Sequence, residues 1–432
     1  MTHKIVVVGG GAGGLELATQ LGNQFKGSDK ASVTLVDGNL THIWKPLLHE
    51  VAAGSLNATA DELNYLAQAK WNHFLFQLGR MKDLNRSEKY LSLEAVLDED
   101  GKQVLAERTV SYDTLVIAVG STSNDFGIQG AKEHCVFLDT RQQAERFHRK
   151  LLNAYLSSGA AAHGPQGTIS VAIVGGGATG VELAAELRHS AQELSDYGLG
   201  QVRPENLNIT LIEAGPRILP ALPERISKSV HTALEKLGVA VIVGASVSEI
   251  TEHSLTTRDG VTINADLKVW AAGIRAPHFL KDIGGLETNN LNQLVVLPTL
   301  QSSRDESIFA LGDCAACLDE RTGRNVPPRA QAAHQQASLI AKAIKARMAG
   351  KPLPVFKYRD YGSLVSLSTF TAVGNLMGNF SGSVFLEGWL ARMFYISLYR
   401  MHQVALHGIL RTGFSMIGNI LGSGTKPRLK LH

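Results

Sequence analysis

Cysteine is scarce: there are three in 432 residues, Cys135, Cys314 and Cys317. So few thiols cannot build a disulfide framework, and they suit a reducing compartment. Cys314 and Cys317 form a C-x-x-C with no second pair to complete a four-thiolate zinc site, so no metal is expected and both read as buried small residues. A thiol or metal role for the pair stays open. Long uncharged apolar runs are also missing, because Arg392, Arg400 and Arg411 interrupt the apolar C-terminal region before it reaches the roughly 18 residues that a spanning helix requires. The N-terminal apolar run passes directly into a glycine turn and reads as a strand, not a signal peptide, which places the chain on the cytoplasmic side. Acid is scarce toward the end: residues 342–432 carry 12 basic and 2 acidic side chains, although the whole chain has a net charge of only +3. Such segregation points to an anionic partner for that end, either nucleic acid or a membrane surface.

What is abundant is glycine in one pattern. Residues 5–21, IVVVGGGAGGLELATQL, read as a buried strand, a glycine turn and a helix start, with Gly9, Gly11 and Gly14 in G-x-G-x-x-G and Asp37 ending the next apolar run. The first glycine allows the tight turn, the second lets a pyrophosphate approach the backbone, and the third lets helix and strand pack closely. Phosphates then sit at the helix N-terminus, and Asp37 is placed to accept hydrogen bonds from a ribose. Residues 171–187, VAIVGGGATGVELAAEL, repeat the pattern at Gly175, Gly177 and Gly180, with Glu213 ending the following strand. Two fingerprints imply two dinucleotides, and electron transfer between them with one a flavin is the economical reading. A duplicated domain with one inactive site is the alternative. Glu213 would repel a 2′-phosphate and so favours NADH, with Arg217 near enough to soften the preference.

Between and after the fingerprints the chain supplies further strand exits. The loop after Asp37 carries Trp44, Lys45 and Pro46, expected near the cofactor's reactive end, with Trp44 either a packed anchor or a ring contact. Residues 72–117 alternate as strands, and the run 115–119 ends in Gly120. Residues 139–158 read as a connecting helix followed by a linker, and an insertion is expected around residues 195–205. Gly273 follows KVWAA at another strand exit, and IFALGDCAAC puts Asp313 beside Gly312. A helix beginning near residue 330 presents Gln331, His334 and Gln335 from its first turns.

GGGAGG with Asp37, AVGS, GGGATGVE with Glu213, WAAGI, LGDCA and AQAAHQ, in this order, resemble the type II NADH:quinone oxidoreductases, within the two-dinucleotide-binding flavoprotein superfamily. WKPLLHE, SLYRMHQVALHG and PRLKLH look close to proteobacterial members. The resemblance implies tightly bound, non-covalent FAD at Gly9, Gly10, Gly11, Ala12, Gly13, Gly14, Asp37, Lys45, Pro46, Gly120, Gly312 and Asp313. It implies NADH across Gly175, Gly177, Gly180, Glu182, Glu213 and Gly273, with Glu182 holding the nicotinamide carboxamide. Gln331 and Gln335 are implied to lie beside the flavin at the quinone entrance, and the oligomer implied is a homodimer. No cysteine pair is placed as in the disulfide reductases or the sulfide:quinone oxidoreductases of this superfamily, so electrons are expected to leave the flavin for an external acceptor.

Were residues 385–421 one helix, a turn of about 100° per residue would gather Arg392, Arg400 and Arg411 on one side, opposite Phe394, Leu398, Met401 and Ile409. Such a helix lies in the membrane interface, and Lys426, Arg428 and Lys430 add a basic tail. Gly408, Gly413 and Gly418 permit breaks, and a buried dimer interface is the alternative.

The expected fold class is α/β, with two Rossmann-like dinucleotide-binding domains (FAD and NADH) and a C-terminal amphipathic membrane-association region. The boundaries expected are 1–160 and 291–345 for FAD, 161–290 for NADH and 346–432 for the anchor. The expected function is a non-proton-pumping respiratory NADH dehydrogenase, peripheral on the cytoplasmic face of the bacterial inner membrane. It passes a hydride to FAD and two electrons to a membrane quinone, ubiquinone or menaquinone. Anionic lipid is the expected surface partner and nucleic acid is not. Two other readings stay open: a soluble NADH reductase feeding a protein acceptor such as a rubredoxin, and a non-catalytic NADH-binding signalling flavoprotein using its basic end on nucleic acid.

Overall fold

The structure is a computed structural model that describes residues 2–56, 62–160, 167–196, 204–367, 371–377, 383–387, 403–406 and 408–422. The expected insertion around residues 195–205 falls largely outside them, as do Arg392, Phe394, Leu398, Arg400, Met401, Lys426, Arg428 and Lys430. The chain divides into two compact units: 1–44, 62–122 and 274–360 form the first, and 45–61, 123–273 and 361–432 form the second.

The first unit is built on a nine-stranded sheet whose parallel heart runs Leu75–Leu78, Ala31–Asp37, His3–Val8, Thr114–Ile117, Asp305–Ala310. His3–Val8 lies in the middle, with Ile5 opposite Val33 on one side and Thr114 on the other. A strand covered on both faces needs an unbroken apolar run rather than alternation, and Ile5, Val6, Val7 and Val8 are all buried. Burial of each such side chain is worth about 1.5–3 kcal/mol, so this strand anchors the unit. The turn after it leads to the helix Ala12–Gln24, against which the helix Ala330–Met348 packs. The alternating stretch expected across residues 72–117 becomes a three-stranded antiparallel sheet of Met81–Asn85, Tyr90–Leu93 and Arg108–Ser111 before the chain re-enters the main sheet.

The second unit repeats the plan with five parallel strands, in the order Val136–Phe137, Leu267–Trp270, Ile169–Val174, Leu207–Glu213, Val239–Val243. Helices Arg141–Ala160, Ala178–Asp196 and Glu224–Lys236 belong to it. The short helix Leu48–Ala53, from the loop that follows the first fingerprint, packs on two of these helices, 141–160 and 178–196.

The C-terminal region corrects one expectation. Residues 385–421 are not one helix: Ser383–Glu387 is a strand in an antiparallel sheet with Gly362–Leu367 and Thr371–Met377, and the helix is Ile409–Gly422. The neighbouring strand Thr371–Met377 supplies the ladder that a lone apolar segment cannot make for itself, and short apolar runs read equally well as either element. Gly408, at φ +78°, breaks the path between the helical residues 403–406 and that last helix.

Candidate functional site: two glycine turns and the side chains that hold them

The two fingerprints fold into the same device. Gly9 has φ +101°, and a Cβ there would meet the Ala118 carbonyl oxygen at 2.4 Å. Gly175 has φ +113°, and its Cβ would meet Ala271 and Ala272 backbone atoms at 2.7 Å. The third glycines press helix onto strand: a Cβ on Gly14 would lie 1.9 Å from the Gly9 carbonyl, and one on Gly180 would lie 2.0 Å from that of Gly175. The second glycines, Gly11 and Gly177, face open space within 4 Å. Side chains are thus excluded where backbones touch, and room is kept where a pyrophosphate approaches. Gly11 is the N-cap of the helix Ala12–Gln24, and a glycine there brings no side chain of its own to the first N–H groups, which suits an anion site.

The acids close both turns. The Gly10 N–H donates to Asp37 Oδ2 at 2.7 Å, while Asn39 N–H donates to Oδ1 at 2.8 Å. In the second unit the Gly176 N–H donates to Glu213 Oε2 and the Gly215 N–H to Oε1, both at 2.7 Å. A carboxylate has about four lone-pair sites, so Glu213 keeps acceptor capacity for ribose hydroxyls. Burial pushes the Asp37 carboxyl up, against the lowering effect of the Gly10 and Asn39 hydrogen bonds. Arg217 donates instead to the carbonyls of Leu219, Leu222 and Pro220, at 3.1, 2.9 and 2.8 Å, so its guanidinium is spent on its own loop.

Other expected residues fall into place within each unit. In the first, Ser121 donates to Asp313 Oδ2 at 2.8 Å, and Gly120 and Gly312 adopt φ of +69° and +73°. Gln331 donates to Asp360 Oδ1 at 3.2 Å, and Gln335 exchanges two hydrogen bonds with the Arg359 backbone. Both glutamines therefore point toward residues 359–360. His334 pairs with Glu16 of the first helix. In the second unit, Lys45 reaches Asp139 at 3.3 Å, and Pro46 sits in a single helical turn with its carbonyl accepting from His49. Gly273, at φ +62°, lies under the ring of Phe126. Trp44 is buried, as a packed anchor would be. Cys314 and Cys317 are buried too, and burial pushes the Cys314 thiol up to about 12, the wrong direction for a nucleophile. Among the described residues no group of three or more His, Cys, Asp or Glu side chains gathers to hold a metal ion.

Several residues escaped the sequence reading. Tyr65 donates its hydroxyl to the Gly10 carbonyl at 2.8 Å and stacks on Phe76 at 5.2 Å. Burial raises its phenol well above the ordinary range. His42, fully buried beside it, is lowered to about 4 by desolvation. Gln336, next to the expected Gln335, turns inward and accepts the Gly312 N–H at 2.7 Å. His49 is buried with its Nδ1 3.7 Å from Glu182 Oε2. Only Gln336 carried a local signal, since it falls four residues after Ala332 and four before Ile340 on the helix's buried face.

Comparison with known proteins agrees with this geometry. The pyridine nucleotide-disulphide oxidoreductase family matches residues 3–337. A type II NADH:quinone oxidoreductase of Haemophilus influenzae is 48% identical over 99% of this chain and all of its own. One of Staphylococcus aureus is 28% identical over 87% of this chain and 90% of its own. The fold matches NDH2 from Plasmodium falciparum in complex with NADH, at TM-score 0.82 and 19% identity over 99% of both chains. It also matches the sulfide:quinone oxidoreductase of Aquifex aeolicus, at TM-score 0.72 and 18% identity over 97% of this chain and 95% of that one. With two intact dinucleotide turns and nearly half of its residues shared over its whole length, the chain belongs to the type II NADH:quinone oxidoreductases.

Proposed function

We propose that the first unit holds FAD, that the second binds NADH, and that the chain oxidises NADH and reduces a membrane quinone. The repeated turn carries this reading: one chain closes two glycine loops with two carboxylates in the same way. The flavin supplies the hydride-accepting and two-electron chemistry. The protein's part is to bind and orient. The N-termini of helices Ala12–Gln24 and Ala178–Asp196 take the two pyrophosphates, and Asp37 and Glu213 take the adenosine riboses. Ser121, Asp313 and Gln336 fix the Gly312 turn for the flavin's polyhydroxyl chain. Glu182 takes the nicotinamide carboxamide, and Gln331 and Gln335, held by residues 359–360, orient the quinone.

The membrane reading rests on the last helix. Ile409, Leu410, Phe414, Met416 and Ile417 are exposed on Ile409–Gly422, within an arc of about 160° at 100° per residue. No helix among the described residues is long and apolar enough to cross a membrane. Such a face lies in the interface of an anionic leaflet, which we place on the cytoplasmic side of the inner membrane. Apolar side chains there favour lipid over nucleic acid, and a homodimer completes the reading.

Anaerobic FAD-loaded protein should be bleached by NADH and recoloured by a short-chain quinone. Bleaching without recovery would move the acceptor to another protein. Phe414→Glu with Ile417→Glu should keep that reaction but stop pelleting with anionic vesicles; unchanged pelleting would remove this helix as the anchor.

A further inference from the structure

In the second unit, the turn at residues 125–128 sets a side chain against its own backbone. The Ile128 N–H donates to the Asp125 carbonyl at 3.0 Å, and between them Phe126 has φ +52° and Gly127 φ +70°. A turn with both central residues at positive φ is of type I′, which favours Asn, Asp or Gly at its first central position. A bulky aromatic residue there is strained. Burial does not offset the strain, because Phe126 is 61% exposed.

The flanks hold the turn in place. The Trp270 indole N–H donates to the Asn124 carbonyl at 2.8 Å, and the Asn124 N–H donates to the Gly273 carbonyl at 3.2 Å. The Asn124 side chain accepts the Phe126 N–H at 3.1 Å. Asp125 is buried and pairs with Lys132 at 3.2 Å, and Ile128 packs on the core around Trp270. Strain persists where the surroundings fix it in this way, and it gathers at ligand clamps.

The position of the ring points to its ligand. The strand Ile169–Val174 has Leu207–Glu213 on one side and Leu267–Trp270 on the other, so strand order reverses there and a dinucleotide lies across the carboxyl ends. Glu213, ending one neighbour, takes the adenosine ribose, and the nicotinamide half then lies over the end of the other. That exit is Ala271, Ala272 and Gly273, the first two against Gly175 of the glycine turn. A Cβ on Gly273 would meet Phe126 Cζ at 2.4 Å, so the ring's edge fills the space of a side chain at Gly273. Most of the ring stays uncovered.

We propose that Phe126 is a contact residue for the nicotinamide, its phenyl ring stacking on the flat ring of the nucleotide bound in the second unit. The inference rests on the reading that this unit binds NADH. An aromatic face supplies area and a preferred offset geometry, which fix the plane of the nicotinamide as hydride transfer requires. The turn gives up stability to hold the phenyl ring in that place.

The test uses the full-length, FAD-loaded protein with its flavin reduced anaerobically by dithionite, so that NADH binds without reacting. NADH is titrated by calorimetry beside ADP-ribose, which has the same adenosine and pyrophosphate but no nicotinamide. Phe126→Asn replaces the ring with a residue that a type I′ turn prefers, so the denaturant midpoint should hold or rise. NADH should bind roughly three- to tenfold more weakly, the range of one aromatic pair, while ADP-ribose stays within about twofold. Phe126→Tyr keeps the ring and should bind NADH within about twofold of the wild type. If the midpoint of Phe126→Asn falls, Phe126→Leu, which keeps apolar bulk without an aromatic face, is read by the same two titrations. Unchanged NADH affinity, or an equal loss of ADP-ribose affinity, overturns the proposal. A wild-type protein that does not bind NADH would instead overturn the reading beneath it.

Discussion

The two glycine turns differ in what holds the carbonyl of the residue after the first fingerprint glycine, Gly10 in one and Gly176 in the other. In the second unit the Gly176 carbonyl accepts the Leu219 N–H at 2.7 Å, so the loop after Glu213 folds back and closes the turn with its own backbone. In the first, the Gly10 carbonyl accepts the Tyr65 hydroxyl at 2.8 Å, with buried His42 alongside. A local backbone clasp suits a nucleotide that comes and goes. A clamp of buried aromatic and imidazole side chains, from residues 42 and 65, suits a cofactor that stays.

Breaking the comparison at its root has the largest expected effect. Gly9→Ala forces a Cβ into the Ala118 carbonyl at positive φ, which costs on the order of 1–3 kcal/mol in backbone strain besides the clash and should yield protein without FAD. Yellow, flavin-replete protein would contradict the steric account. Next comes acid. His42 is lowered to about 4 in the fold, below an unfolded value near 6.5, so between these the unfolded chain binds more protons. Its contribution is present above about pH 6.5 and is lost as pH falls toward 4, on the order of 3 kcal/mol in total. Denaturant midpoints that do not fall over that window, or that fall equally in His42→Gln, would remove His42 as the cause. Glu213→Ala should raise the KM for NADH about tenfold, a loss of about 1.4 kcal/mol, and weaken discrimination against NADPH. Unchanged selectivity in steady-state kinetics would free Glu213 of that role. Smallest is Tyr65→Phe, which removes one neutral hydrogen bond worth about 1 kcal/mol and should weaken FAD several-fold while leaving NADH affinity alone.

The same contrast marks what could be read from the chain. The glycines, Asp37 and Glu213 were legible because a turn and its acid lie within one βαβ unit. Tyr65 stands 55 residues from Gly10 and was not, because no local period reports a contact made across a fold. His49 was missed for the same reason: it lies in a loop expected to serve the first fingerprint, yet its segment packs with the helix of the second. Gln331 and Gln335 were placed by resemblance, and their hydrogen bonds to residues 359–360 depend on a segment with no strand or helix signal. Residues 385–387, the start of the stretch read as a helix over 385–421, lie in the strand Ser383–Glu387, because so short a run fits either period and only its partner strand decides.

The central claim is that each turn serves its own nucleotide, and Gly175→Ala tests it most directly. The measurement is flavin absorbance of the purified variant, followed by its bleaching with NADH under anaerobic conditions. FAD should remain bound at full occupancy, and the NADH concentration needed for bleaching should rise on the order of a hundredfold, the equivalent of about 3 kcal/mol of binding. A properly folded variant that loses FAD, or one bleached by NADH as readily as the wild type, would contradict the assignment of two turns to two nucleotides.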